Sequence, residues 1–259
     1  MDMPDPVQVS ALGMCFLVFA AFAAGLLDSI AGGGGLFSLP ATLLTGVSPQ
    51  SALGTGKFMS VMGGTASLIA YAKNGAVDWR LAAAGVCFSL AGSRAGAQAA
   101  LHIDNAMLGR IILALLPLAA LLTLMPVRDD TRETRPGRVS LFLGAPLVCA
   151  GTSFYDGFFG PASGSLMLLC LHRFLGIGLL TASGTAKALI LASNLSSLFI
   201  FIVNGKVCYP IAVPMALANI AGHVAGSRLA LRKGPKLIRR VLLLSLGLLF
   251  ISLVWRNIV

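Results

Sequence analysis

Lys57 and Lys187 are the residues in this sequence best suited to hold an anion. Each closes the same small-residue phrase, Leu53–Gly54–Thr55–Gly56–Lys57 and Ser183–Gly184–Thr185–Ala186–Lys187, and the two lysines stand 130 residues apart. Lys57 is the only charge between Asp28 and Lys73, and Lys187 the only one between Arg173 and Lys206. An ammonium is a compact point charge with three donors, a match for the oxygens of a small oxyanion. Set in apolar sequence it is costly, which by default marks a functional position. Asp28 and Asp156 each end an apolar run just before a glycine-rich segment. Two roles are open to them: partner to the lysines, since a buried charge must be compensated, or carrier of a proton.

Further polar groups gather at the same places. Thr55 and Thr185 offer hydroxyls to an anion, with helix capping as the alternative. Gly33, Gly34 and Gly35 in the first half, and Ser163 and Ser165 in the second, fall where a half-helix begins. Free backbone N–H groups and the positive dipole end make such a terminus an anion seat. The alternative is that the glycines only let helices pack closely. Asn194 and His223 interrupt apolar runs as substrate contacts or proton relays, or as hydrogen bonds between helices.

Composition sets the surroundings of these residues. Of 259 residues 57% are hydrophobic and only 11% charged, with a mean hydropathy of +0.89. A soluble domain averages about 25% charged residues, so this chain cannot cover an aqueous surface and is expected in the lipid bilayer. The net charge of +10 then belongs to loops facing the cytoplasm and anionic lipid. No basic stripe carries interleaved aromatics, which argues against nucleic acid. The five cysteines are scattered without metal-ligand spacing, and neither metal nor cofactor is expected. Asp2 and Asp5 stand where a secretory leader would be basic, so the first apolar run is expected to be retained.

The elements that must position the lysines read as all-α: a polytopic membrane protein of about eight apolar spans in two homologous repeats. Residues 1–127 form the first, 128–138 a polar linker, and 139–259 the second. Residues 10–27 are long enough to span, and Asp28 ends the run. Gly32–Gly35 breaks the chain before a shorter piece, Leu36–Val47, and Ser48–Gly56 is a small, polar turn ahead of Lys57. The second half follows suit: Val139–Tyr155, Asp156, a break at Gly157–Gly164, then a run through Lys187 to Val203. Identical pairs at offset 130 include Thr55/Thr185, Lys57/Lys187, Asn74/Asn204, Gly92/Gly222 and Gly96/Gly226, and Asp28/Asp156 matches at 128. Discontinuous first segments, re-entrant or meeting at the midplane, are how duplicated carriers build a site. Positive-inside counting, with four basic residues in 128–138 and six in 228–240, favours inverted over parallel repeats.

The aspartate before a Gly-rich break, the Gly–Thr–(Gly/Ala)–Lys phrase, the Asn–Gly turn and the Ala–Gly–x–x–x–Gly span, all present twice, resemble the TauE/SafE sulfite exporter family, also known as the toluene-sulfonate uptake permeases. The resemblance covers residues 10–256. It implies a multi-pass plasma-membrane carrier for sulfite, sulfonates, sulfoacetate or related small anions, working by alternating access. One departure is Gly160–Pro161–Ala162–Ser163–Gly164, where the first break has a run of glycines. Two other functions compete with a carrier. An anion channel also uses broken helices, and an intramembrane aspartyl protease would use Asp28 and Asp156. No enzyme is the favoured reading, a small anionic substrate and the bilayer are the partners, and a homo-oligomer is compatible with it.

Overall fold

The computed structural model describes residues 9–123, 143–234, 236–238 and 240–241. The linker 128–138 and residues 242–255 of the last expected span lie outside them. All regular structure among the described residues is helical. In chain order the long helices are α1 (Ala11–Ala31), α2 (Gly35–Leu44), α3 (Pro49–Lys73), α4 (Trp79–His102), α5 (Asn105–Thr123), α6 (Ala145–Phe158), α7 (Ser163–Leu175), α8 (Leu179–Val203) and α9 (Tyr209–Lys233).

Helix α1 starts where Ser10 Oγ accepts the Gly13 N–H at 3.1 Å, and its apolar body then runs uncharged to Leu27. Asp28 ends the uncharged run but not the helix, and the break falls at the expected glycines. A lone carboxylate cannot break a helix whose backbone bonds are intact, and the stop comes at Gly32 in the left-handed region (φ 83°). Helix α6 likewise runs through Asp156 to Phe158, and Gly160 (φ 91°) and Ala162 (φ 63°) turn the chain into α7. The two breaks lie against each other. Ser165 donates its backbone N–H to Gly32 O at 3.2 Å, and its Oγ donates to Ala31 O at 2.7 Å.

The segment Ser48–Gly56 departs from expectation. It is not a turn: α3 begins at Pro49, and both lysine phrases lie inside helices, α3 and α8. Their small residues serve close approach, since a Cβ on Gly54 would sit 2.0 Å from Lys206 O and one on Gly184 1.9 Å from Ala76 O. Helices α3 and α8 pack antiparallel. Gly54 near the start of α3 lies on Phe201 near the end of α8, Gly184 lies on Tyr71, and midway Gly64 faces Leu191.

Helix α4 packs along α6, and α9 along α1. Lipid tails give no hydrophobic drive for such pairing, so close backbone contact must supply it. The Gly92/Gly96 face of α4 meets the carbonyls of Ala150 and Phe154, and the Gly222/Gly226 face of α9 meets those of Phe22 and Leu26. Each contact has a counterpart with the two halves exchanged.

Of the about eight expected apolar spans, α1 and α8 are the two described helices both long and apolar enough to cross a membrane. Helices α3, α4 and α9 hold 25, 24 and 25 residues, about 36 Å at 1.5 Å per residue. They are long enough, but their buried faces carry glycine and serine, with Lys57 in α3 and Asn219 and His223 in α9.

Candidate functional site

The breaks, α3 and α8 enclose a cavity with about 50 Å³ open to water-sized molecules, lined on its polar side by Asp28, Lys57, Asp156, Asn194, Ser38, Ser60 and Ser163. Glycines 32, 35, 56 and 160 bring backbone to its wall. This is room for a small ion and its water, well short of the 300–1,000 Å³ of ordinary organic-ligand pockets.

Each lysine reaches across to the aspartate of the other half. Lys57 Nζ lies 2.9 Å from Asp156 Oδ2, with the two side chains 5% and 2% exposed. The same ammonium donates to Asp156 O at 2.5 Å and to Asn194 Oδ1 at 2.9 Å, so all three of its protons are used. Asp156 also takes hydroxyl hydrogens from Ser163 at 2.5 Å and from Ser193 at 2.5 Å. Lys187 Nζ lies 3.0 Å from Asp28 Oδ2 and donates to Asp28 O as well. Asp28, 26% exposed, is the wetter carboxylate, and His223 Nε2 stands 3.6 Å from its Oδ2.

The two carboxylates therefore occupy matching seats, each made by a lysine and the beginning of a half-helix. Ser163 is the first residue of α7, and Gly34, just ahead of α2, packs against the Asp28 side chain. Lysine, dipole end and hydroxyls form a binding set for an oxyanion, held here by the chain's own aspartates.

Not every expected residue faces the cavity. Thr55 Oγ1 accepts the Cys208 N–H at 3.1 Å and Thr185 Oγ1 the Asp78 N–H at 2.9 Å, so both are fully buried anchors for the starts of α9 and α4. Gly33, Gly34, Ser165 and Lys187 lie outside the cavity lining, Ser165 because its hydroxyl ties the breaks together. Gly35, Lys57, Asp28, Asp156, Ser163 and Asn194 are brought together on it. Sequence reasoning missed Ser193, Ser38 and Ser60. Ser193 stands beside Asn194, but Ser196 and Ser197 follow at once in α8 and nothing in the sequence singles Ser193 out.

The sequence matches the family model for the sulfite exporter TauE/SafE over residues 17–253. A probable membrane transporter protein, ORF9, from Sinorhizobium sp. is 34% identical over 232 residues, which is 89% of this chain and 88% of that protein. The probable membrane transporter protein YfcA of Escherichia coli K12 is 34% identical over 242 residues, 92% of this chain and 88% of that one. A probable membrane transporter protein of Haemophilus influenzae is 33% identical over 234 residues, 90% of each. No solved structure matches significantly.

Proposed function

The chain belongs to the sulfite exporter TauE/SafE family, and from that premise we propose that it is a secondary transporter moving a small sulfur oxyanion or sulfonate by alternating access. It is a multi-pass inner-membrane protein. The observation that carries the proposal is the exchange of partners across the cavity, Lys57 with Asp156 and Lys187 with Asp28. An incoming anion competes with a carboxylate for its lysine. Displacing that carboxylate loosens a contact between the halves, which is the differential interaction a ligand needs to shift a conformational equilibrium.

The halves, 1–127 and 139–259, act in this reading as inverted repeats joined by the linker 128–138. The antiparallel course of α3 and α8 supports it. Equivalent helices that stand along the membrane normal and oppose each other in direction are related by an axis in the membrane plane. Lys57, Asn194, Ser163 and the start of α2 at Gly35 hold the anion, while Thr55 and Thr185 fix the helices that frame them. A channel is disfavoured because both lysines are locked in ion pairs that must break to admit an anion. A protease is disfavoured because its two carboxylates must share a proton, whereas here each is neutralised by a lysine.

Calorimetric titration of the purified protein with sulfite, small sulfonates and carboxylates tests this, beside Lys57→Ala and Lys187→Ala. Saturable binding lost with either lysine is expected. Absence of binding by wild type overturns the substrate class, and binding that survives both variants overturns the lysines' role.

A further inference from the structure

The two ion pairs are built alike but their surroundings are not. Around Asp156 the supporting groups are hydroxyls and an amide: Ser163, Ser193 and Asn194. Around Asp28 stands an imidazole. His223, 1% exposed on α9, has Nε2 3.6 Å from Asp28 Oδ2 and Nδ1 2.6 Å from Ser67 Oγ on α3. The position equivalent to His223 in the first half is Ser93, whose hydroxyl is spent on Ser193 O at 2.6 Å. One half holds a titratable group and the other does not.

We propose that His223, between Asp28 and Ser67, is the binding site for a proton that moves with the anion; this rests on the transport reading above. Three features carry it. The first is geometry. A hydroxyl oxygen accepts, so Ser67 Oγ takes the Nδ1–H of the ring in both protonation states and the lone pair of the neutral ring is left on Nε2. Asp28 faces that nitrogen at 3.6 Å, placed to pair with the imidazolium once Nε2 is protonated.

The second is access. His223 is sealed, but Asp28 is both its neighbour and part of the cavity wall. A proton from cavity water reaches Nε2 by way of the Asp28 carboxylate, which ends ionised as it began.

The third is charge. The charged groups facing His223 are Asp28 on α1 and Lys187 on α8, while Ser67 on α3 and Asn219 on its own helix are neutral. Lys57, Lys187, Asp28 and Asp156 cancel, so the site with a neutral imidazole offers an anion no net charge. A proton on His223 leaves one positive charge, matched to a monoanion. By linkage each ligand then strengthens the binding of the other.

The test has two arms. The chain has three histidines, His102, His172 and His223, so 15N-histidine NMR of wild type in lipid nanodiscs is tractable, with the signal absent from His223→Gln assigned to His223. Between about pH 4 and 8 this ring is expected to pass from imidazolium to neutral. Saturating methanesulfonate, an anion that stays ionised, moves the transition to higher pH. A ring that keeps one state throughout overturns the proposal whatever the substrate is. In the second arm, proteoliposomes with an internal pH dye receive a methanesulfonate gradient. Wild type moves protons with the anion, and His223→Gln moves at least tenfold fewer protons per anion. Equal proton movement in the variant, or anion flux without protons in wild type, overturns the proton site. No anion flux in wild type overturns the transport reading instead and leaves the titration to decide the proton site.

Discussion

Replacing Lys57 by alanine removes one member of an ion pair whose side chains are 5% and 2% exposed. The remaining Asp156 charge keeps the hydroxyls of Ser163 and Ser193, each at 2.5 Å, but loses its counter-charge, and Asn194 Oδ1 loses its donor. Breaking a buried pair from one side costs about 3–5 kcal/mol. At about 2–4 °C per kcal/mol for a chain of this size, the melting temperature should fall by about 6–20 °C. Two comparisons separate this cause from generic damage. Lys187→Ala should lose less, because Asp28 is 26% exposed and has His223 beside it. Adding Asp156→Asn to Lys57→Ala should restore at least half of the loss, because the orphaned charge is gone while the hydroxyl contacts persist. Thermal unfolding in nanodiscs, read by far-ultraviolet circular dichroism, measures all four proteins. The reasoning is refuted if Lys57→Ala melts with wild type, or if Asp156→Asn deepens the defect.

Three smaller perturbations follow from the geometry. Ala162 is a non-glycine residue at φ 63°, where a Cβ costs about 1–2 kcal/mol, so Ala162→Gly should raise the unfolding midpoint by a few degrees. A Cβ on Gly92 would lie 2.4 Å from Ala150 O, whereas Gly151 has nothing within 4 Å; Gly92→Ala should destabilise by about 1–3 kcal/mol and Gly151→Ala should be neutral or stabilising in the same melt. Thr55→Val removes the acceptor of the Cys208 N–H; it should cost about 1 kcal/mol while leaving anion affinity within twofold in calorimetry.

How much of this was legible in the sequence depended on how local the cause was. Breaks at 32–34 and 159–162 followed from glycine and proline, which act on their own backbone. The ion-pair residues stood out because charge is rare in apolar sequence. Their pairing did not: Lys57 meets Asp156, and not Asp28, because α4 packs on α6 and α9 on α1, a matter of which helix faces fit. The Gly–Thr–x–Lys phrases read as turns because small polar residues favour turns in isolation, and packing against Lys206 and Ala76 kept them helical. Thr55 and Thr185 had looked like ligands for the same reason. A hydroxyl beside a lysine signals polarity without showing which way it points. The serines that complete the site, Ser193 above all, are too common among apolar residues to mark themselves.

The central claim is that a transported anion takes the place of a carboxylate on Lys57 and Lys187. Counterflow of radiolabelled sulfite in proteoliposomes containing wild type, Lys57→Ala or Lys187→Ala tests it most directly. The account predicts saturable exchange in wild type and its loss in both variants, even at temperatures where the variants remain folded. Exchange by either folded variant with the wild-type KM would contradict it.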